Sequence, residues 1–169
     1  MEFLGVYDEN GKEIKNRKIA RGEKSLELNE YIKLVVVWIK CKDKYLIQKS
    51  SAQKGGEYAV SGGHVPYGIT SKKQAQIEIF EELGFKVSLK DFKFLGNVKM
   101  PHCIFDAYLY ENDELLNQNF TLQKEEVEKV FWCDTKDIED LISKNLFRKS
   151  SCLQYKKFIQ KMERNVENN

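Results

Sequence analysis

Leu34-Val35-Val36-Val37-Trp38-Ile39 is the longest uninterrupted apolar run in the chain. It falls far short of the roughly 20 residues a membrane-spanning helix needs, and it reads as a buried strand. It sits in 169 residues that are 41% apolar and 32% charged, a soluble globular composition and not a disordered one. That length suits one sizeable core better than two, so residues 1–169 are expected to form a single domain. Met1 to Asp8 shows no basic segment followed by an apolar stretch, so no secretory signal is read and a cytoplasmic location is expected.

Turn and cap signals divide the rest. Asp8-Glu9-Asn10-Gly11 separates Phe3–Tyr7 from Glu13–Ile19, which predicts a hairpin extension within residues 1–29. Lys42-Asp43 separates a second pair, Tyr31–Lys40 and Tyr45–Lys49. A strand at Tyr58–Ser61 leads through Gly62-Gly63 into a helix over Ser71–Leu83. Ser71 with Gln74 has the form of a capping box, and Gly84 stands where helices commonly end in the left-handed conformation. Phe92–Met100, Cys103–Tyr110 and Val127–Cys133 read as strands rich in aromatic and β-branched residues. Helices over Thr135–Lys144 and Ser151–Met162 follow, with Asp134 or Thr135 and Ser150 or Ser151 as caps, before a polar tail at 163–169 expected to be loose. Strands, one helix, more strands and then helices do not alternate as in a doubly wound sheet, so an α+β sandwich is expected.

Cys41, Cys103, Cys133 and Cys152 lie too far apart for a zinc or redox motif and are read as free thiols. The net charge of +2 gives no strong case for a nucleic-acid partner, and nothing points to a membrane.

The chemistry is concentrated in the helix. At about 100° per residue, Ala75, Ile79 and Leu83 stack on one face and Glu78, Glu81 and Glu82 occupy the adjacent arc, so the acids border the core. Like charges at this spacing oppose each other by roughly 0.2–0.5 kcal/mol per pair in water, and by more where burial lowers the dielectric. No lysine or arginine interleaves with them, and Lys72 and Lys73 lie near the helix start. A divalent cation would remove the repulsion, and carboxylate oxygens are ligands that magnesium prefers. Upstream, Gly62-Gly63-His64-Val65-Pro66-Tyr67-Gly68 is read as a loop able to approach the helix closely and to present backbone groups to a cation or a phosphate.

Together these residues resemble the Nudix box, whose pattern is glycine, five residues, glutamate, seven residues, then arginine-glutamate-apolar-any-glutamate-glutamate-any-glycine-apolar. Gly63 matches the first position, and Glu78-Ile79-Phe80-Glu81-Glu82-Leu83-Gly84-Phe85 matches the end without a gap. Ile69 stands where the pattern has its first glutamate, and Ile77 where it has arginine. Tyr45–Lys49, Leu122–Val127 and Val130-Phe131-Trp132 are similar to further family segments, so the resemblance spans Tyr31 to Ile142. It implies an α/β/α sandwich around a mixed sheet.

The resemblance implies a diphosphate hydrolase using Mg2+, or Mn2+, on a small-molecule substrate such as a nucleoside diphosphate linked to another group. Glu78, Glu81 and Glu82 become the catalytic and metal-binding residues, with Glu78 the base for the attacking water. A further ligand is implied at Glu125 or Glu126; Glu126 is carried as the fourth, with the choice left open. Gly62, Gly63, Lys49 and Tyr58 are candidate substrate contacts, Lys54 is a second candidate cation, and Tyr58 and Phe105 are candidates for stacking on a base. In the family the arginine tethers the catalytic glutamate, which Ile77 cannot do, and Ile69 removes a carboxylate from the outer metal site.

Those departures keep a second reading open, a weakly active or inactive nucleotide- or diphosphate-binding protein. Val6–Gly11 and Gly62–Val65 are also similar to the branch related to isopentenyl diphosphate isomerase, but neither its cysteine in a Cys-any-His-Pro context nor its later-strand glutamate is present. The assembly is expected to be a monomer or a homodimer.

Overall fold

In the computed structural model, which describes all 169 residues, the apolar run lies in strand β3 (Tyr31–Cys41). Side chains alternate across a strand, and both faces of β3 are covered. Val35, Val37 and Ile39 pack with Ala75, Ile79 and Leu83 of helix α1 (Ser71–Leu83). Val36 and Trp38 pack with Ile138, Phe147, Tyr155 and Ile159 from the later helices. A strand buried on both faces needs a layer on each side, which is why this stretch carries no polar alternation and why the domain is an α/β/α sandwich.

One edge of β3 is taken along its length by β8 (Cys103–Glu111), a parallel pairing from Ile32↔Cys103 to Lys40↔Glu111. The other edge is shared by three antiparallel partners in turn. These are β1 (Phe3–Tyr7) at Tyr31 and Ile32, β6 (Ser61–His64) at Leu34 to Val37, and β4 (Lys44–Ser50) at Lys40 and Cys41. Beyond them, β2 (Glu13–Ala20) pairs with β1, β5 (Tyr58–Ala59) and β9 (Val127–Cys133) with β4, and β7 (Phe92–Met100) with β8. The sheet is therefore mixed, as the family pattern implied.

Helix α1 has the expected bounds, but its cap lies one residue earlier than expected. Thr70 Oγ1 accepts the Lys73 N–H at 3.2 Å, while Ser71 bonds the Tyr108 hydroxyl and Gln74 turns into the helix surface. Gly84 ends the helix at φ 77° and returns its N–H to Phe80. Asp134 caps α2 (Thr135–Ser143) in a full capping box with Asp137.

The expected serine cap of the last helical segment is not formed. Phe147 bridges to Tyr58, and Arg148 donates its N–H to the Tyr58 carbonyl at 2.7 Å, which holds the chain extended up to α3 (Lys149–Gln154) and leaves Ser150 and Ser151 buried inside it. A π turn at Tyr155–Ile159 leads into α4 (Gln160–Glu167). The segment expected to be a loose tail is thus helical through Glu167, and Glu163 is tied to Lys40 at 2.6 Å and to the Tyr45 hydroxyl. No helix is long and apolar enough to cross a membrane.

Candidate active site

Residues Gly62 to His64 form strand β6, not the loop the sequence suggested. Neither Gly62 nor Gly63 has a left-handed backbone; what each supplies is the absence of a β-carbon. A Cβ on Gly62 would lie 2.2 Å from the Val35 carbonyl oxygen, and one on Gly63 would lie 2.0 Å from Glu78 Oε1. The first glycine lets β6 seat on β3, and the second lets a helix carboxylate lie directly on the strand.

Glu82, one turn further along α1, is 4% exposed. Its Oε2 accepts from Gln48 Nε2 of β4 at 2.9 Å and from Ser61 Oγ of β6 at 2.8 Å. Glu78 Oε1 accepts from Gln74 Nε2 at 2.7 Å. The two carboxyls are close enough to act on each other electrostatically. Burial raises the pKa of both; the charge of Glu81 adds to the rise for Glu78, and that of Glu78 to the rise for Glu82. Neighbouring acids with raised pKa values resist ionising together, and positive charge brought between them relieves this.

The surrounding carboxylates lie further out. Glu81 is exposed at the rim, and Glu126 stands close enough to act electrostatically on Glu78 while it pairs with Lys54 at 2.9 Å. The loop carrying Glu126 is docked on the end of α1, with Thr121 N–H on the Leu83 carbonyl and Gln123 N–H on that of Glu82. Of the two open candidates, Glu126 lines the cleft and Glu125 does not.

No three acidic or imidazole side chains converge into a ready-made cage. One buried and one half-buried carboxylate, flanked by two outer ones, still fit magnesium, which characteristically takes one or two carboxylates and keeps several waters.

The cleft holds about 370 Å³, and Arg21, His64, Lys54 and Arg148 line it together with the acids. Burial lowers the pKa of His64, and the charge of Arg21 lowers it further. The N-terminal hairpin enters the cleft through Glu2 and Arg21, which pair at 3.0 Å.

Two expected substrate contacts lie elsewhere. Lys49 pairs with Glu128 at 3.1 Å, and the Tyr58 ring lies 6.0 Å from that of Phe131; neither lines the cleft. Side-chain alternation on β4 explains the first, because Gln48 and Ser50 face the cleft and Lys49 between them faces away. Lys54 and Phe105 do line it. Ile77 and Ile69 are partly buried outside it, so the contact that holds Glu78 comes from Gln74 and not from position 77. Gln48, Ser61 and Gln74 were not anticipated as site residues, whereas Arg148 is one of the few arginines, with Arg17, Arg21 and Arg164, that the sequence offers for planar phosphate recognition. The spacing of Gln74 four residues before Glu78 was the one legible signal among them.

Comparison with known proteins places this architecture. The profile of the NUDIX domain matches residues 32–154. An uncharacterized Nudix hydrolase of Listeria monocytogenes is 28% identical over 152 residues, covering 87% of this chain and 88% of that protein. A Deinococcus radiodurans crystal structure superposes with a TM-score of 0.70 at 16% identity, covering 88% of this chain and 92% of that one. A MutT NUDIX hydrolase from Burkholderia pseudomallei gives 0.61 at 16% identity, covering 74% and 95%. A bifunctional NMN adenylyltransferase/ADP ribose pyrophosphatase from Francisella tularensis, complexed with AMP and a Mn ion, gives 0.58 at 14% identity, covering 72% and 38%. With the family profile spanning β3 through α3, the chain belongs to the Nudix hydrolase family, which acts on pyrophosphate bonds.

Proposed function

We propose that this protein is a magnesium-dependent hydrolase that cleaves the diphosphate linkage of a nucleoside diphosphate joined to another group, or of a related small molecule. The observation that carries this reading is the pairing of half-buried Glu78 with buried Glu82, held by Gln74, Gln48 and Ser61 with both carboxyl pKa values raised by desolvation. Stabilising two such groups side by side has a use if a cation is to be received there. Glu78, Glu82, Glu81 and Glu126 would hold it, with manganese as an alternative to magnesium. Once bound, a divalent cation supplies charge neutralisation for the phosphate oxygens and acidifies water.

The protein's own groups would then do the following. Glu78, at the strand surface and fixed by Gln74, accepts the proton of the attacking water. Glu82 is too deeply bonded to exchange partners freely and acts as a fixed ligand. Glu81 and Glu126, at the rim, adjust as substrate enters. Arg21, Lys54 and Arg148, which line the cleft, receive phosphate oxygens not neutralised by the cation. Four free thiols agree with a reducing compartment such as the cytoplasm.

The test is a hydrolysis screen over nucleoside triphosphates, dinucleotide polyphosphates, nucleotide sugars and prenyl diphosphates, in magnesium and then manganese, with the mononucleotide and phosphomonoester products separated by chromatography. Turnover on at least one class, reduced by roughly 100-fold or more in Glu82→Gln, is the expected result. Thermal stabilisation by nucleotides with no hydrolysis product would instead support a binding protein, the reading that the missing arginine at Ile77 favours.

A further inference from the structure

The two donors that hold Glu82 act on the same oxygen. Gln48 Nε2 and Ser61 Oγ both donate to Oε2, at 2.9 and 2.8 Å, and no side chain donates to Oε1. Gln74 treats Glu78 similarly, donating to Oε1 at 2.7 Å and leaving Oε2 without a side-chain donor. Each carboxylate thus has one oxygen occupied by the protein and one left for another partner.

The support of Glu82 is rigid. Gln48 and Ser61 are 7% and 2% exposed, so water does not readily take their place. The backbone of Gln48 is flanked by Ala59 of β5 and Val130 of β9, and that of Ser61 is paired with Val37 of β3, so both donors stand on fixed strands. The donors are also neutral. A lysine or arginine in either place would bond the same oxygen but would cancel the charge of Glu82; an amide and a hydroxyl set its direction and leave the charge for an incoming cation.

A carboxylate with one oxygen engaged offers a metal a single point of attachment. Magnesium is small and demands an octahedron at about 2.0–2.1 Å, and the two oxygens of one carboxylate lie too close together to fill two of its corners. Calcium, at about 2.3–2.6 Å with six to eight ligands in flexible geometry, accepts both oxygens and gains from them. We infer that Gln48 and Ser61 are positioning residues that make Glu82 a one-oxygen ligand and thereby set the preference of the site for magnesium over calcium. This rests on the hydrolase reading above, which brings the cation to Glu78 and Glu82.

The experiment titrates the full chain with magnesium alone and with calcium alone, by calorimetry at one pH, and takes the ratio of the two affinities. The wild type should bind magnesium more tightly. Gln48→Met keeps the length of the side chain and loses its donor, and Ser61→Ala loses the hydroxyl from the other strand. Each frees Oε2 in part and should lower the magnesium-to-calcium ratio by about 3- to 10-fold. A general loosening of the site, or a change in competition from protons, weakens both metals alike and leaves the ratio where it was. A ratio unmoved in either variant overturns the inference, as does a wild type that binds calcium as tightly as magnesium; in both cases the hydrolase reading stands. If the wild type binds neither magnesium nor manganese, that reading falls and the inference with it.

Discussion

The carboxylate of Glu78 occupies the place where a β-carbon on Gly63 would stand, with Oε1 2.0 Å from that position. The glycine is therefore a condition for seating the carboxylate. Gly63→Ala should displace the end of a flexible side chain, leaving stability within about 1 kcal/mol while magnesium affinity or kcat drops about 10- to 100-fold. Gly62→Ala meets the Val35 backbone carbonyl instead and should cost about 1–3 kcal/mol of stability. Urea titration beside magnesium calorimetry separates the two; equal stability losses would refute the distinction.

Gln74 supplies the hydrogen bond to Glu78 that the family pattern assigns to an arginine contact. Gln74→Ala is expected to lower kcat about 10-fold or more and, because Gln74 is 6% exposed, to cost about 1 kcal/mol of stability as well. Steady-state kinetics on the substrate found in the screen checks this, and unchanged kcat would show that Glu78 needs no tether.

Glu163 links the last helix to β3 and β4. Burial works to raise its pKa, but hydrogen bonds from Lys40 and Tyr45 outweigh this and hold the carboxyl below the usual glutamate range. A lowered folded-state pKa gives stability that is present above the unfolded value, near 4.3, and is lost as pH falls through the folded one. Glu163→Gln should destabilise the protein at pH 7 by about 1 kcal/mol, allowing for partial exposure, and the difference should shrink below about pH 4. Denaturant melts at several pH values measure it, and a gap that widens in acid would contradict the sign.

Lys33 Nζ lies 3.3 Å from Asp106 and 4.6 Å from the centre of the Tyr7 ring, and Asp106 is 5% exposed. Removing the cation strands a buried carboxylate, so Lys33→Met should cost roughly 3–5 kcal/mol, and Lys33→Met/Asp106→Leu should recover much of it. Chemical denaturation of both variants decides whether the pair or the packing matters.

Local signals carried much of the fold. The ends of α1, the bounds of β7 and β9 and the register of Glu78, Glu81 and Glu82 were all readable, because caps, β-branched runs and helical spacing act between residues a few positions apart. The buried strand at Leu34–Ile39 was equally plain, and its two covered faces are the reason the sandwich has three layers.

The surroundings of those glutamates were decided by tertiary pairing alone. Gln48 reaches Glu82 across 34 positions and Arg148 reaches Ser50 across 98, contacts that exist once β4, β6 and the last helical segment have docked. The same docking turns Lys49 and Tyr58 away, buries Ser150 and Ser151 where a cap was expected, and brings Arg21 from the hairpin into the cleft. Sequence spacing sets the direction of a side chain within its own element. Only the packing of elements determines what it faces, and on that depends whether two buried carboxylates meet a cation, a proton or each other.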